Sequence, residues 1–196
     1  MTVSKQVFDD LEARIIDVVC NAYGSALSAA AQALAIPAGR FRLLPGLGVL
    51  RDEGISAEAF DRGVEIEWLG AADWPEPGNS QDATAIRRAR FRLHVGYLFG
   101  KETPTSMIHL ASGTSETAAV ALKYARRRAL SDAETIATAL GFPEIATGGS
   151  LNPAIVECYR DGETVIDQLS GGRIVSVTPF MMLFSRDITQ RYEPST

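Results

Sequence analysis

The chain has 196 residues, 46% of them hydrophobic and 22% charged, and a formal net charge of -5. That length and balance suit a soluble globular chain with a substantial core and no need of covalent staples. No apolar run reaches the roughly 18 residues of a membrane span, and the acidic excess argues against a dedicated nucleic-acid binder, whose affinity comes largely from lysine and arginine on phosphates.

From Ser4 to about Ala35 the chain reads as helix. Phe8, Leu11, Ile15, Val18, Val19 and Ala22 recur at helical spacing opposite Asp9, Asp10 and Asp17. Gly24 and Ser25 are expected to bend or break it, and Pro37 and Gly39 end the helix. Asp9, Asp10 and Glu12 also stand where a secretory signal needs an apolar core. Cys20 here and Cys158 downstream form neither a disulfide framework nor a metal-ligand spacing. Free thiols in a reducing compartment are expected, and the protein is expected to be made in cytoplasm.

Residues 36–63 carry Pro37, Pro45, Gly46, Gly48 and Gly54 without a sustained period, so an irregular insert is expected, with a short strand around Phe41 to Leu44. Gly46-Leu47-Gly48 lacks the third glycine of a dinucleotide fingerprint, and no phosphate-binding loop occurs.

Val64-Glu65-Ile66-Glu67-Trp68 alternates, with Glu65 and Glu67 on one face. Residues 70–86, with Pro75, Pro77, Gly78 and Asn79, read as a long polar loop and a candidate docking element. Residues 88–99 then alternate strictly. Ala89, Phe91, Leu93, Val95, Tyr97 and Phe99 share one face, and Arg88, Arg90, Arg92 and His94 share the other. A strand with one apolar and one cationic face belongs to a sheet buried on one side, antiparallel or mixed. If 64–68 lies alongside, Glu65 and Glu67 can pair across strands with these arginines; otherwise the ladder faces a neighbouring subunit or an anion.

Ser115 to Arg128 reads as a helix ending in the cluster Arg126, Arg127, Arg128, where cations meet the negative end of the helix dipole or dock on an acidic neighbour. A second helix is expected from Ser131, since Ser131 and Glu134 make a capping box, and Gly141 with Pro143 stops it. A glycine-rich linker follows at 146–153. Ile155 to Arg160 and Glu163 to Asp167 flank Asp161-Gly162, a pair suited to a type I′ hairpin, and Ser170-Gly171-Gly172 makes the next turn. Ile174 to Ile188 is a long strand whose Pro179 implies an edge position or a bulge. Phe180 to Phe184 are apolar on both faces, as in a strand covered on both sides, either by a helix within the domain or by the next subunit.

The expected fold is α/β: a single domain over 1–196, with an N-terminal helix 4–35, the insert 36–63, a mixed or antiparallel sheet with helices packed on one face over 64–188, and a short tail 189–196. The element order, with Arg90-Phe91-Arg92-Leu93-His94-Val95-Gly96-Tyr97-Leu98, then Ala129-Leu130-Ser131-Asp132, then a turn-rich hairpin leading to Ile174-Val175-Ser176-Val177-Thr178-Pro179-Phe180-Met181-Met182-Leu183-Phe184, resembles the tail-terminator proteins of long-tailed bacteriophages. The similarity covers about residues 88–187, while 36–86 and 101–128 are longer than a minimal terminator needs.

The resemblance implies a structural virion protein at the head-tail junction, assembled in host cytoplasm. It implies a homo-oligomeric ring, typically a hexamer, that caps the tail tube and joins it to the head connector. Expected partners are copies of itself, the tube protein, the connector or stopper protein, and genome DNA passing through the lumen without sequence-specific contacts; no membrane, cofactor or metal is expected. It supplies no catalytic residues. Glu65, Glu67, Arg88, Arg90, Arg92, Arg126, Arg127 and Arg128 are the candidate interface residues. The alternatives are another neck or minor tail protein, or a small cytoplasmic enzyme built on His94, or on His109 with Ser112.

Overall fold

The computed structural model describes residues 3–20, 22, 41–73, 84–99, 118–141 and 154–187. Helix α1 (Val3–Cys20) is followed by strand β1 (Arg42–Leu43), a 3-10 turn (Val49–Arg51), the short helix α2 (Ala57–Phe60), β2 (Gly63–Asp73) and β3 (Thr84–Leu98). Helix α3 (Ala118–Gly141), β4 (Ala154–Arg160), β5 (Val165–Leu169) and β6 (Arg173–Asp187) complete the described elements. The strands form one six-stranded sheet in the order β1-β2-β3-β6-β4, with β5 also on β6. Only the β1–β2 pairing is parallel, so the sheet is mixed and the fold is α/β, as the alternating strands require.

The alternation of β3 decides which face is which. Ala89, Phe91, Leu93, Val95, Tyr97 and Phe99 are buried in the main core beneath α1 and α3. From β6, Phe180, Met182 and Phe184 enter the same layer, and the Phe91 and Phe180 rings stack with centroids 5.3 Å apart. Helix α1 contributes Leu11, Ile15, Val18 and Val19, while Phe8 sets its ring edge-on to Trp68 at 4.9 Å. At about 25 cal/mol per Å² of apolar surface removed from water, this layer is the main stabilising element of the fold.

Among the described residues, the segment that closes over the opposite face lies at one end of it. Leu44, Leu50, Ile55 and Phe60 of the 44–60 segment close over Leu98 and Val175 in a second, smaller core. Gly96 makes this approach possible: a Cβ there would lie 2.4 Å from the Phe60 carbonyl oxygen and 2.8 Å from Leu50 Cδ2. In the same place the Gly96 carbonyl accepts from the Arg62 amide at 2.8 Å, and Arg62 sits at φ 56°.

Two local expectations are corrected. Residues 118–141 form one helix, so Ser131 caps nothing. A continuous inner stripe of Ala121, Ala125, Ala129, Ala133, Ile136 and Leu140 crosses the expected break, and Asp132 is drawn into the core by an ion pair. Arg126, Arg127 and Arg128 are therefore mid-helix, away from the dipole end.

Nor does Asp161-Gly162 turn the chain. β4 pairs with Phe180 to Ser185 and β5 with Arg173 to Val177, both antiparallel to β6, so they form one interrupted strand along a single side of it. Pro179 explains the interruption. Its carbonyl accepts from the Asp161 amide at 2.9 Å, so its nitrogen, which has no hydrogen to donate, faces the same side. Pro179 thus occupies a central strand, between β3 and the interrupted strand, with the irregularity placed in its partner. The hairpin lies one turn later, where Gly171 and Gly172, both at positive φ, join β5 to β6.

The expected loop 70–86 is shorter than its composition suggested, because β2 runs on to Asp73 and β3 starts at Thr84. Residues 74–83, the continuation of the first helix to Ala35 with its ending, the 146–153 linker, the stop at Pro143 and the tail 189–196 lie outside the described residues.

Candidate functional site

Strand register brings the predicted charged groups together on the outer sheet face. Glu65 is opposite His94 and Glu67 opposite Arg92 on β2 and β3, while Arg88, Arg90 and Arg92 are opposite Leu183, Met181 and Pro179 on β6. Glu67 Oε2 receives both His94 Nε2 at 3.0 Å and Arg92 Nη1 at 3.3 Å. The His94 hydrogen bond, followed by Arg92, holds the Glu67 carboxyl below its ordinary range against an opposing desolvation effect. Arg90 Nε meets Asp161 Oδ2 at 3.3 Å, so the residue expected to form a hairpin turn partners the ladder instead.

Glu65, expected as a surface contact, is buried at 3% exposure. Its carboxylate accepts from the Leu50 amide at 2.7 Å and the Gly48 amide at 3.1 Å, tying the start of the 3-10 turn to β2. Period-2 spacing put Glu65 on the right face, but the irregular 44–60 segment that covers that end of the face has no periodic signal. His94 is spent on Glu67, while His109 and Ser112 lie outside the described residues.

Past the covered end, the outer face presents a mixed surface. Tyr159 and Val165, set two strands across from Arg90 and His94, are exposed at 42% and 57%. The register sets Tyr159 against Met181, whose other neighbour is Arg90, and the Tyr159 hydroxyl reaches Met181 Sδ at 2.9 Å. Leu69, bulged out of β2 between Trp68 and Gly70, is 44% exposed. Tyrosine, methionine and arginine are the residue types over-represented where proteins meet one another.

The arginine cluster of α3 divides. Arg126 and Arg127 are exposed, whereas Arg128 turns inward, with Nη2 3.2 Å from Asp61 Oδ2 and its guanidinium 5.7 Å above the Tyr97 ring centre. Asp61 also accepts from the Leu98 amide at 3.1 Å. One turn further along α3, Asp132 receives Arg62 through two nitrogens, Nε at 3.0 Å and Nη2 at 3.1 Å. The Tyr97 hydroxyl lies beside Asp132, yet it is fully buried and outside hydrogen-bonding geometry. Burial, then the Asp132 charge, push its proton affinity well above that of an ordinary phenol. Sequence spacing missed this cluster because its members come from the α2–β2 junction, the end of β3 and the middle of α3. Two arginines facing two aspartates make a clamp that fixes α3 to the sheet.

Burial pushes the Cys158 thiol up to about 12, so it is protonated at neutral pH. Among the described residues, no group of three or more His, Cys, Asp or Glu is placed to hold a metal ion, and no helix is long and apolar enough to cross a membrane. Comparison with protein-family models and with curated proteins finds no match to this chain.

Proposed function

We propose that this chain is a structural virion protein, a tail terminator of a long-tailed phage that acts as a homo-oligomeric ring. The ring caps the finished tail tube, removes the site for further tube subunits and offers the head connector a surface, while DNA passes through its hole. The observation that carries this reading is the half-covered outer sheet face. One end is sealed by the 44–60 segment, and the other presents Arg90, Arg92, Tyr159 and Val165 to solvent. An exposed surface of mixed guanidinium and apolar groups on a rigid sheet is suited to docking another protein, with the apolar groups supplying energy and the charges orientation. The resemblance of residues 88–187 to terminators, read from the sequence, is what suggests a tail tube and a head connector as the partners.

The test is to add the purified protein to the polymerising tube protein of the same phage and measure tube lengths by electron microscopy. Capping shortens the tubes in proportion to the protein added. Tube lengths that do not respond, with the protein never found at tube ends, would remove the terminator assignment.

A further inference from the structure

We infer that the solvent ridge of α3 docks on the solvent ridge of α1 in a second copy of this chain. This rests on the ring reading and names the surface through which copies meet. Lys123, Arg126, Arg127 and Leu130 recur at i, i+3, i+4 and i+7 and are all exposed, as is Tyr124 beside them. They lie opposite the Ala121, Ala125 and Ala129 stripe that faces the core. None of the three cations takes part in an ion pair among the described residues, whereas Arg51, Arg62, Arg90, Arg92, Arg128 and Arg160 all do. Within this ridge Tyr124 and Leu130 are 43% and 47% exposed.

Helix α1 shows the complement. Asp9, Ala13 and Asp17 are exposed at i, i+4 and i+8, opposite the buried Leu11, Ile15, Val18 and Val19. At 1.5 Å per residue the acidic ridge is about 12 Å long and the basic ridge about 10 Å, so the two match in length. Both ridges point away from the same side of the sheet, so the α3 ridge of one copy meets the α1 ridge of another rather than its own.

Such a contact joins two different patches. It is heterologous, the kind that closes into a ring when the rotation between copies allows. Nucleic acid is a less fitting occupant of the basic ridge: phosphate has no use for Tyr124 and Leu130 side by side, and the chain carries a net charge of -5. Exposed charge pairs are individually weak, so the charges set orientation and the apolar pair supplies most of the affinity.

The test is a charge swap read by light scattering after size exclusion, over a range of protein and salt concentrations. Arg126→Glu with Arg127→Glu should weaken self-association at least about tenfold, as should Asp9→Lys with Asp17→Lys, and the four substitutions together should restore most of it. Arg126 and Arg127 are exposed, so circular dichroism and melting temperature of that variant should stay near wild type. Asp17 also stands beside the buried Arg14, so Asp9→Lys alone, which leaves that neighbour in place, is the folding control for the acidic swap. Wild type that assembles while the swaps change nothing, or losses that the combined variant does not repair, would overturn this interface and leave the ring standing. Loss of duplex DNA binding with assembly intact would assign the ridge to DNA instead. A wild type that stays monomeric throughout would overturn both the interface and the ring.

Discussion

Arginine–carboxylate pairs occur in two settings in this molecule, and the setting, not the chemistry, decides what they do. In the clamp, Arg62 and Asp132 have side chains 10% and 1% exposed and hold α3 to the start of β2. On the outer face, Arg92 and Glu67 are 45% and 30% exposed and Arg90 and Asp161 are 55% and 35%. Water screens the second set, so each of those pairs contributes little to folding and remains available to a partner. The first set is costly to break because a lone charge would stay behind in the core.

The sharpest way to break this contrast is Arg62→Ala, which leaves the Asp132 carboxylate buried with its bidentate partner gone. Chemical denaturation should show a loss of about 3–5 kcal/mol, whereas replacing both residues by apolar ones of similar volume should cost much less. A loss below about 1 kcal/mol would place this pair in the same class as the surface ones. Next in size is Gly96→Ala, which forces the Phe60 carbonyl and Leu50 away from the sheet. Here a destabilisation of about 1–3 kcal/mol is expected, with unfolding still cooperative.

Smaller effects are expected on the outer face. Arg90→Ala with Arg92→Ala should change folding stability by no more than about 1 kcal/mol per pair removed. If the exposed end of this face is a docking surface, the same double variant should fail to cap tubes while melting normally. The smallest effect is a pH dependence. His94 and Arg92 lower the folded-state proton affinity of Glu67 relative to the unfolded chain, so the unfolded chain binds the proton more readily. The stabilisation is therefore fully present above the ordinary carboxylate range, near pH 4.3, and is lost as pH falls through the lower folded value. Glu67→Gln should flatten that part of the stability profile, as measured by melting temperature against pH from neutral to acid.

The sheet was the most legible part of the sequence. Period-2 alternation assigned the inner-face residues Ala89, Phe91, Leu93, Val95, Tyr97 and Phe99 and paired residues 64–68 with their strand, because a strand half buried under helices must alternate. It did not foresee Leu98, buried on the opposite face by the 44–60 segment. The failures share one cause, a local signal overruled by a distant partner. Ser131 and Glu134 have the spacing of a capping box, but Asp132 between them answers to Arg62, 70 residues away. Asp161-Gly162 has turn chemistry, but Pro179 in a neighbouring strand decides what happens there. Among the charged candidates, Glu67, Arg90 and Arg92 could be placed from spacing alone. Glu65 and Arg128 could not, since their burial depends on the 44–60 segment and on Asp61, which no period connects to them.

The measurement that bears most directly on the proposed terminator role is deletion of the gene for this chain from the phage that the proposal requires, followed by electron microscopy of the lysates. A tail terminator predicts overlong or unattached tails beside filled heads, repaired when the gene is supplied in trans. Intact virions of normal tail length would contradict it.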